Sequence, residues 1–180
     1  GWIFEDQIGE IEGDIFSEYR RLELKYAVAN TRLDCPIVPP KIVCLARNYA
    51  AHANEQNVAV PEIPMIFLKP TTSILPDRGT IELPPQSKQV EHEAELAVVI
   101  GKQGRWIKPE DARDIILGYT IANDVTARDL QHKDGQWARA KGFDTFCPLG
   151  PAIVTDLDTS DLLITCRVNG ELRQMASTKE

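Results

Sequence analysis

Short apolar runs, each stopped by glycine, proline or a polar pair, recur along this chain and predict strands more often than helices. Residues 7–12, then Gly13-Asp14 and Ile15-Phe16, predict a hairpin turning at Gly13-Asp14. Apolar spacing over 18–30 is irregular and makes only a weak helical pattern. Pro36, Pro39 and Pro40 then interrupt any regular element, which marks residues 1–37 as a small appendage and 38–180 as the main domain. Strands are predicted at 41–46 and 65–69, with the alanine-rich stretch 49–55 as a short helix between them. Two more short strands are expected within 73–83, around Asp77-Arg78-Gly79. The stretch 90–101 reads as one buried strand, and 115–125 as another that ends in Asn123-Asp124. Between them, Lys108-Pro109-Glu110-Asp111 has the proline and acids of a helix start. Residues 126–131 fit one or two helical turns. Asn169-Gly170 joins 162–168 to 171–174 as a hairpin with a type I′ turn. The pattern is that of an α+β, mainly β domain.

Composition narrows the partners. The chain has 180 residues, 43% of them hydrophobic, enough for one good core. A net charge of −7 and a pI near 5.1 argue against nucleic acid and anionic membrane surfaces. No apolar run approaches the roughly 20 residues that span a bilayer. Gly1-Trp2-Ile3-Phe4 opens the sequence without a basic n-region, so no signal peptide is expected. Cys35, Cys44, Cys147 and Cys166 are scattered singly, the pattern of buried free thiols in a reducing compartment, with the cytoplasm as the expected location. No glycine-rich phosphate loop follows a strand, which argues against a nucleotide fold.

The chemistry gathers at acids on apolar strands. On a strand, Glu93 and Glu95 project from one face, and two carboxylates entering a core repel each other and resist desolvation. A metal cation relieves both costs; a solvated edge strand is the alternative. Asp124, at the end of another apolar run, makes a third carboxylate, and with no thiolate beside them the set suits Mg²⁺ or Mn²⁺, with Ca²⁺ less favoured. Alternation turns His92 away from the two glutamates, so it is read as a supporting or surface residue. His52 and Glu55 are neighbours at i, i+3 on a helix, either a general base with its orienting carboxylate or an exposed polar face. Lys69, Arg128 and Lys141 lie near strand ends and loops, where they can serve an anionic substrate or a developing oxyanion.

Five segments, in order, resemble the fumarylacetoacetate hydrolase family. They are Ala46–Glu55, Phe67–Pro70, Glu91–Gly101 (Glu-His-Glu-Ala-Glu-Leu at its start), Gly118–Gln131 (with Asn123-Asp124 and Arg128-Asp129-Leu130-Gln131) and Lys141–Pro151 (opening Lys-Gly-Phe-Asp). The resemblance runs over residues 38–180, with Ala46 standing where glycine is common. It implies a mixed β-sandwich roll, usually a homodimer, holding Mg²⁺ or Mn²⁺ on Glu93, Glu95 and Asp124. It also implies a water-activating dyad of His52 and Glu55, with Arg128, Gln131 and Lys141 facing the substrate and Lys69 as a further cation of the pocket.

The implied substrates are small anionic oxo-acids. The reactions are acylpyruvate- or fumarylpyruvate-type hydrolysis and oxaloacetate-type decarboxylation, through an enolate stabilised by the metal. Isomerisation and decarboxylation in aromatic catabolism, of the 2-hydroxyhepta-2,4-diene-1,7-dioate type, is the rival activity, and a catalytically silent metal-binding scaffold the rival from another class. The sequence ends at Ala176-Ser177-Thr178-Lys179-Glu180, where family members continue with core strands and a Thr-Gly-Thr-Pro-type loop. It is therefore expected to be incomplete at its C-terminal end, and not a competent enzyme by itself.

Overall fold

A computed structural model of the chain describes residues 1–49 and 61–179. The helix expected at 49–55, with His52 and Glu55, lies outside the described residues apart from Tyr49. Strands β1 (Trp2–Phe4), β2 (Gln7–Gly13) and β3 (Tyr19–Ala27) form an antiparallel meander at the N-terminus. The hairpin foreseen here is present, but its loop is longer than the sequence suggested. β2 continues through Gly13, at φ +100, and residues 14–18 turn around the Asp14 carboxylate, which accepts the Phe16 amide. The weak helical pattern beyond it is a strand. Arg20–Glu12 and Lys25–Glu10 pair across the ladder, so its charged residues face solvent and each other.

Strands β4 (Ile42–Ala46) and β5 (Met65–Lys69) pair antiparallel where the apolar runs predicted them. Alternation turns Phe67 and Lys69 inward, while the cross-strand pairs Val43–Leu68 and Leu45–Ile66 lie exposed. Of the two strands expected within 73–83, only β6 (Ile74–Leu75) forms, because Pro76, Pro84 and Pro85 deny the following segment a ladder.

The stretch 90–101 is two strands, not one. β7 (Val90–Glu91) is separated from β8 (Ala94–Ile100) by a break at His92 and Glu93. β9 (Ile116–Asn123) runs antiparallel to β8 from Ile100↔Ile116 to Ala94↔Asn123. β10 (Thr126–Ala127) pairs with β7, Thr126 opposite Glu91. Both chains thus leave one sheet and join another at the same level. The Glu93 amide donates to the Asn123 side-chain oxygen and the Asp124 amide to the Glu93 carbonyl, which satisfies the backbone at the break. The helix start at Pro109 is a 3₁₀ segment, Pro109–Ile115.

Helix α1 (Arg128–Asp134) follows β10 directly, α2 (Ala138–Lys141) comes next, and β11 (Cys147–Val154) completes a mixed sheet ordered β6-β11-β9-β8. β11 is parallel to β6 and antiparallel to β9. The hairpin of β12 (Leu163–Val168) and β13 (Glu171–Ser177) turns on Asn169 and Gly170, at φ 53 and 83, as a type I′ turn requires. Val125, Ala127, Leu130, Ala140 and Phe146 form the buried cluster beneath the sheet switch. Burying a side chain the size of Phe146 contributes about 1.5–3 kcal/mol, so the segment that carries Asp124 is pinned by its own neighbours. Among the described residues no helix is long and apolar enough to cross a membrane.

Candidate metal centre

Glu93, Glu95 and Asp124 meet at the sheet switch. Each offers a carboxylate oxygen, and these atoms lie within 4.8 Å of one another. Glu95 comes from β8 and Asp124 from the residue after β9, while Glu93 belongs to the break. The two glutamates therefore converge through a kink, not along one pleated face.

Cations surround two of the three acids. Lys69 Nζ donates to Asp124 Oδ1 at 2.7 Å, and Lys141 Nζ to Asp124 Oδ2 at 2.6 Å and to Glu93 Oε2 at 2.8 Å. Arg128 spans Glu91 at 2.8 Å and Glu93 Oε1 at 2.5 Å. Burial works to raise the Glu93 carboxyl, but Lys141 and Arg128 outweigh it and hold the group below the ordinary glutamate range. Glu95 has no such relief. Among the described residues no cation pairs with it, and burial, then the negative Asp124 and Glu93, pushes its carboxyl up to about 8.

That imbalance favours a bound cation. Three converging carboxylates, one of them half-buried and without a cation partner among the described residues, make a hard, oxygen-donating set suited to a small divalent ion. Soft thiolate ligation does not fit. Burial pushes Cys44 up to about 12 and Cys147 to about 11, so both remain thiols at neutral pH. His92 is not in the cluster; its Nδ1 is buried without a hydrogen-bond partner among the described residues.

The remaining donors separate the other expected site residues. Arg128 NH1 donates to Gln131 Oε1, leaving the Gln131 amide protons and further guanidinium protons open. Lys141 uses two of its three protons on carboxylates, and its Nζ lies 5.2 Å from the centroid of the Phe67 ring. Trp137 stands edge-on against that ring at 5.5 Å. Lys69 differs. Its third contact is the Lys141 carbonyl and its second Val125 O at 3.4 Å, so every ammonium proton has a protein acceptor in a side chain only 1% exposed.

Sequence reasoning missed Glu91, Thr126 and Phe67. Thr126 Oγ1 donates to Glu93 Oε1 at 3.1 Å, and Glu91 anchors Arg128 from the opposite strand. The signals were present: Phe67 is two residues from Lys69 on the same strand face, and Glu91 precedes the acid pair by one pleat.

A pH dependence follows from Glu95. Its folded pKa lies above the ordinary 4.5, so between about 4.5 and 8 the metal-free folded chain keeps a proton that the unfolded chain has lost. Stability without metal should fall as pH rises through that window and level off above it. An ion must displace the proton. Affinity should therefore climb with pH up to about 8, with close to one proton released per ion at pH 6–7, measured by calorimetric titration in buffers of different ionisation enthalpy.

Known proteins carry the same arrangement of chain. A family model described as fumarylacetoacetate hydrolase C-terminal matches residues 41–180. An uncharacterized protein of Methanocaldococcus jannaschii is 58% identical over 143 residues, which is 79% of this chain and 60% of the relative. The mitochondrial oxaloacetate tautomerase of Rattus norvegicus is 51% identical over 146 residues, 79% of this chain and 47% of that protein. The chain thus spans about half to three-fifths of the length of these relatives. Among solved structures, 5-carboxymethyl-2-hydroxymuconate delta-isomerase from Mycobacterium smegmatis superposes with a TM-score of 0.83 at 45% identity, covering 95% of this chain and 71% of that one. With the family match running from the first strand of the main domain through the acids to the last hairpin, the chain belongs to the fumarylacetoacetate hydrolase family.

Proposed function

We propose that the protein is a divalent-metal-dependent enzyme that transforms small oxo-acids through an enolate. The observation that carries the reading is the cluster of Glu93, Glu95 and Asp124 faced by a buried lysine, Lys141, with a proton to spare. Glu93, Glu95 and Asp124 would hold Mg²⁺ or Mn²⁺, with Ca²⁺ a weaker occupant. When bound, such an ion supplies Lewis acidity at the carbonyl next to the substrate carboxylate.

The chain's own residues do the rest. Gln131 and Arg128 offer open N–H donors to the substrate carboxylate, and the Glu91 and Glu93 carboxylates fix the guanidinium that presents them. Lys141 directs its remaining proton to the oxygen where enolate charge develops. His52, oriented by Glu55, is proposed as the base that takes a proton from water in hydrolysis. Decarboxylation and keto–enol interconversion need no attacking water.

Residues 1–37 are proposed as the appendage and 38–180 as the catalytic unit, a division supported by the family match beginning at residue 41. A homodimer is the proposed assembly, favoured by the uncovered apolar pairs of β4 and β5.

Cleavage of a C–C bond, by hydrolysis or decarboxylation, is our first reading. Isomerisation is the second, favoured by the likeness to a solved delta-isomerase and to an oxaloacetate tautomerase. Turnover of acetylpyruvate and oxaloacetate by the full-length protein, with Mg²⁺ or Mn²⁺ and with His52→Ala alongside, distinguishes them. Acetylpyruvate hydrolysis that the substitution abolishes establishes the hydrolase. Carbon dioxide from oxaloacetate that survives it establishes the decarboxylase, and enol–keto interconversion without carbon dioxide the isomerase. Metal binding with no turnover of these substrates or of unsaturated dicarboxylates leaves a silent scaffold.

A further inference from the structure

Lys69 is unlike the other cations of the site. It is held by Asp124 Oδ1 on one side and by two backbone carbonyls, Val125 and Lys141, on the other. Lys141 owes its position to the carboxylates themselves, so it can shift with them. Lys69 cannot, because its carbonyl anchors belong to β10's approach and to the end of α2. Gly142 brings that helix end against Pro70, next to Lys69. A Cβ there would lie 3.0 Å from Pro70 Cδ and closer still to the Ala138 carbonyl. The ammonium is therefore a fixed charge built into the scaffold, pressed against one oxygen of one prospective metal ligand.

Resting on the metal-site reading above, we propose that Lys69 is a positioning residue that sets which divalent ion the site accepts, not a contact for substrate. With Lys69 fixed at Oδ1 and the more adaptable Lys141 at Oδ2, Asp124 would meet an ion through Oδ2 as Lys141 gives way, and would resist chelating through both oxygens. Glu93 is similarly restricted, its Oε1 meeting Arg128 and Thr126 and its Oε2 meeting Lys141. A site that supplies few, rigidly placed oxygens suits Mg²⁺ and Mn²⁺, which take six ligands in near-octahedral geometry. It penalises Ca²⁺, which draws on bidentate carboxylates to reach six to eight ligands at longer distances. Lys69 acts here by closing one coordination mode of Asp124.

The test is a competition. Free Mn²⁺ is followed by electron paramagnetic resonance in the full-length protein, with Mg²⁺ or Ca²⁺ as competitor. Wild type should prefer Mn²⁺ to Ca²⁺ by more than about tenfold. Lys69→Met should tighten Ca²⁺ more than Mn²⁺ and narrow that ratio about tenfold, with a smaller narrowing in Lys69→Gln. A loosened fold would weaken both ions together, and a simple charge effect would tighten both equally; either result, with the ratio unmoved, overturns the proposal. If Lys69→Met does not fold, Lys69→Gln and the wild-type ratio still decide. A wild-type ratio near one overturns the selectivity role while leaving the metal site intact, whereas wild type that binds neither ion overturns the metal-site reading and this inference with it.

Discussion

Asp124→Asn should abolish divalent-ion binding and also destabilise the fold by about 3–5 kcal/mol at neutral pH. Two ammonium groups, Lys69 and Lys141, converge on this one carboxylate, all three side chains at most 4% exposed. Neutralising it removes the charge that answers both ammonium groups: the asparagine oxygen can accept from one of them, while its amide NH₂ turns a donor toward the other. Uncompensated charge in a dry site costs far more than the pair contributes when intact. The informative control is Glu95→Gln. That side chain lacks a cation partner among the described residues, and its burial already disfavours the charged form. The substitution should weaken metal binding with stability unchanged or improved. Chemical denaturation of both variants without metal, read beside calorimetric titration with Mn²⁺, checks the contrast. Equal destabilisation in the two would mean that the ion pairs around Asp124 do not hold the site together.

Lys141→Met should lower turnover about 100- to 1000-fold, the range for losing one preorganised donor to a developing oxyanion. The fold should suffer less than in Asp124→Asn, because each oxygen Lys141 leaves belongs to a carboxylate with another cation: Arg128 on Glu93, Lys69 on Asp124. Mn²⁺ affinity should stay within about threefold, since no ligand is removed and one competing cation is. Lys141→Arg should not restore the rate. The ammonium sits over Phe67 in a side chain only 2% exposed, and a planar fork in its place would aim its donors differently from a compact ammonium. Steady-state rates together with metal titration separate these outcomes. A variant with normal kcat and a raised KM would assign Lys141 to substrate binding alone.

Much of this arrangement was legible in the sequence. The runs at 41–46 and 65–69, the Asn169-Gly170 turn and the convergence of three acids each follow from a local rule: strand periodicity, turn chemistry, the cost of a buried charge. What escaped depends on partners distant in the chain. Glu93 was placed on a continuous strand, because nothing nearby announces that the Asn123 side chain will take its amide and break the ladder. Irregular apolar spacing over 18–30 gives only a weak helical pattern, and Tyr19–Ala27 is a strand whose charges are answered by Glu10 and Glu12 across the hairpin. Lys69 reads in sequence as a further cation of the pocket. Its sequence context gives its sign, but not that two carbonyls, one of them 72 residues away, would use up its protons.

The β8–β9 ladder separates what can drift from what cannot. Its connection, residues 101–115, leaves from the Ile100↔Ile116 end, while the acids gather around the Ala94↔Asn123 end, about 20 Å away at strand rise. Insertions and deletions in that connection would leave the ladder's register, and so the spacing of the acids, untouched. Over evolutionary time this edge of the protein is free to acquire new loops and new neighbours while the opposite edge keeps one chemistry, and it is also the natural place to attach a label or a tether.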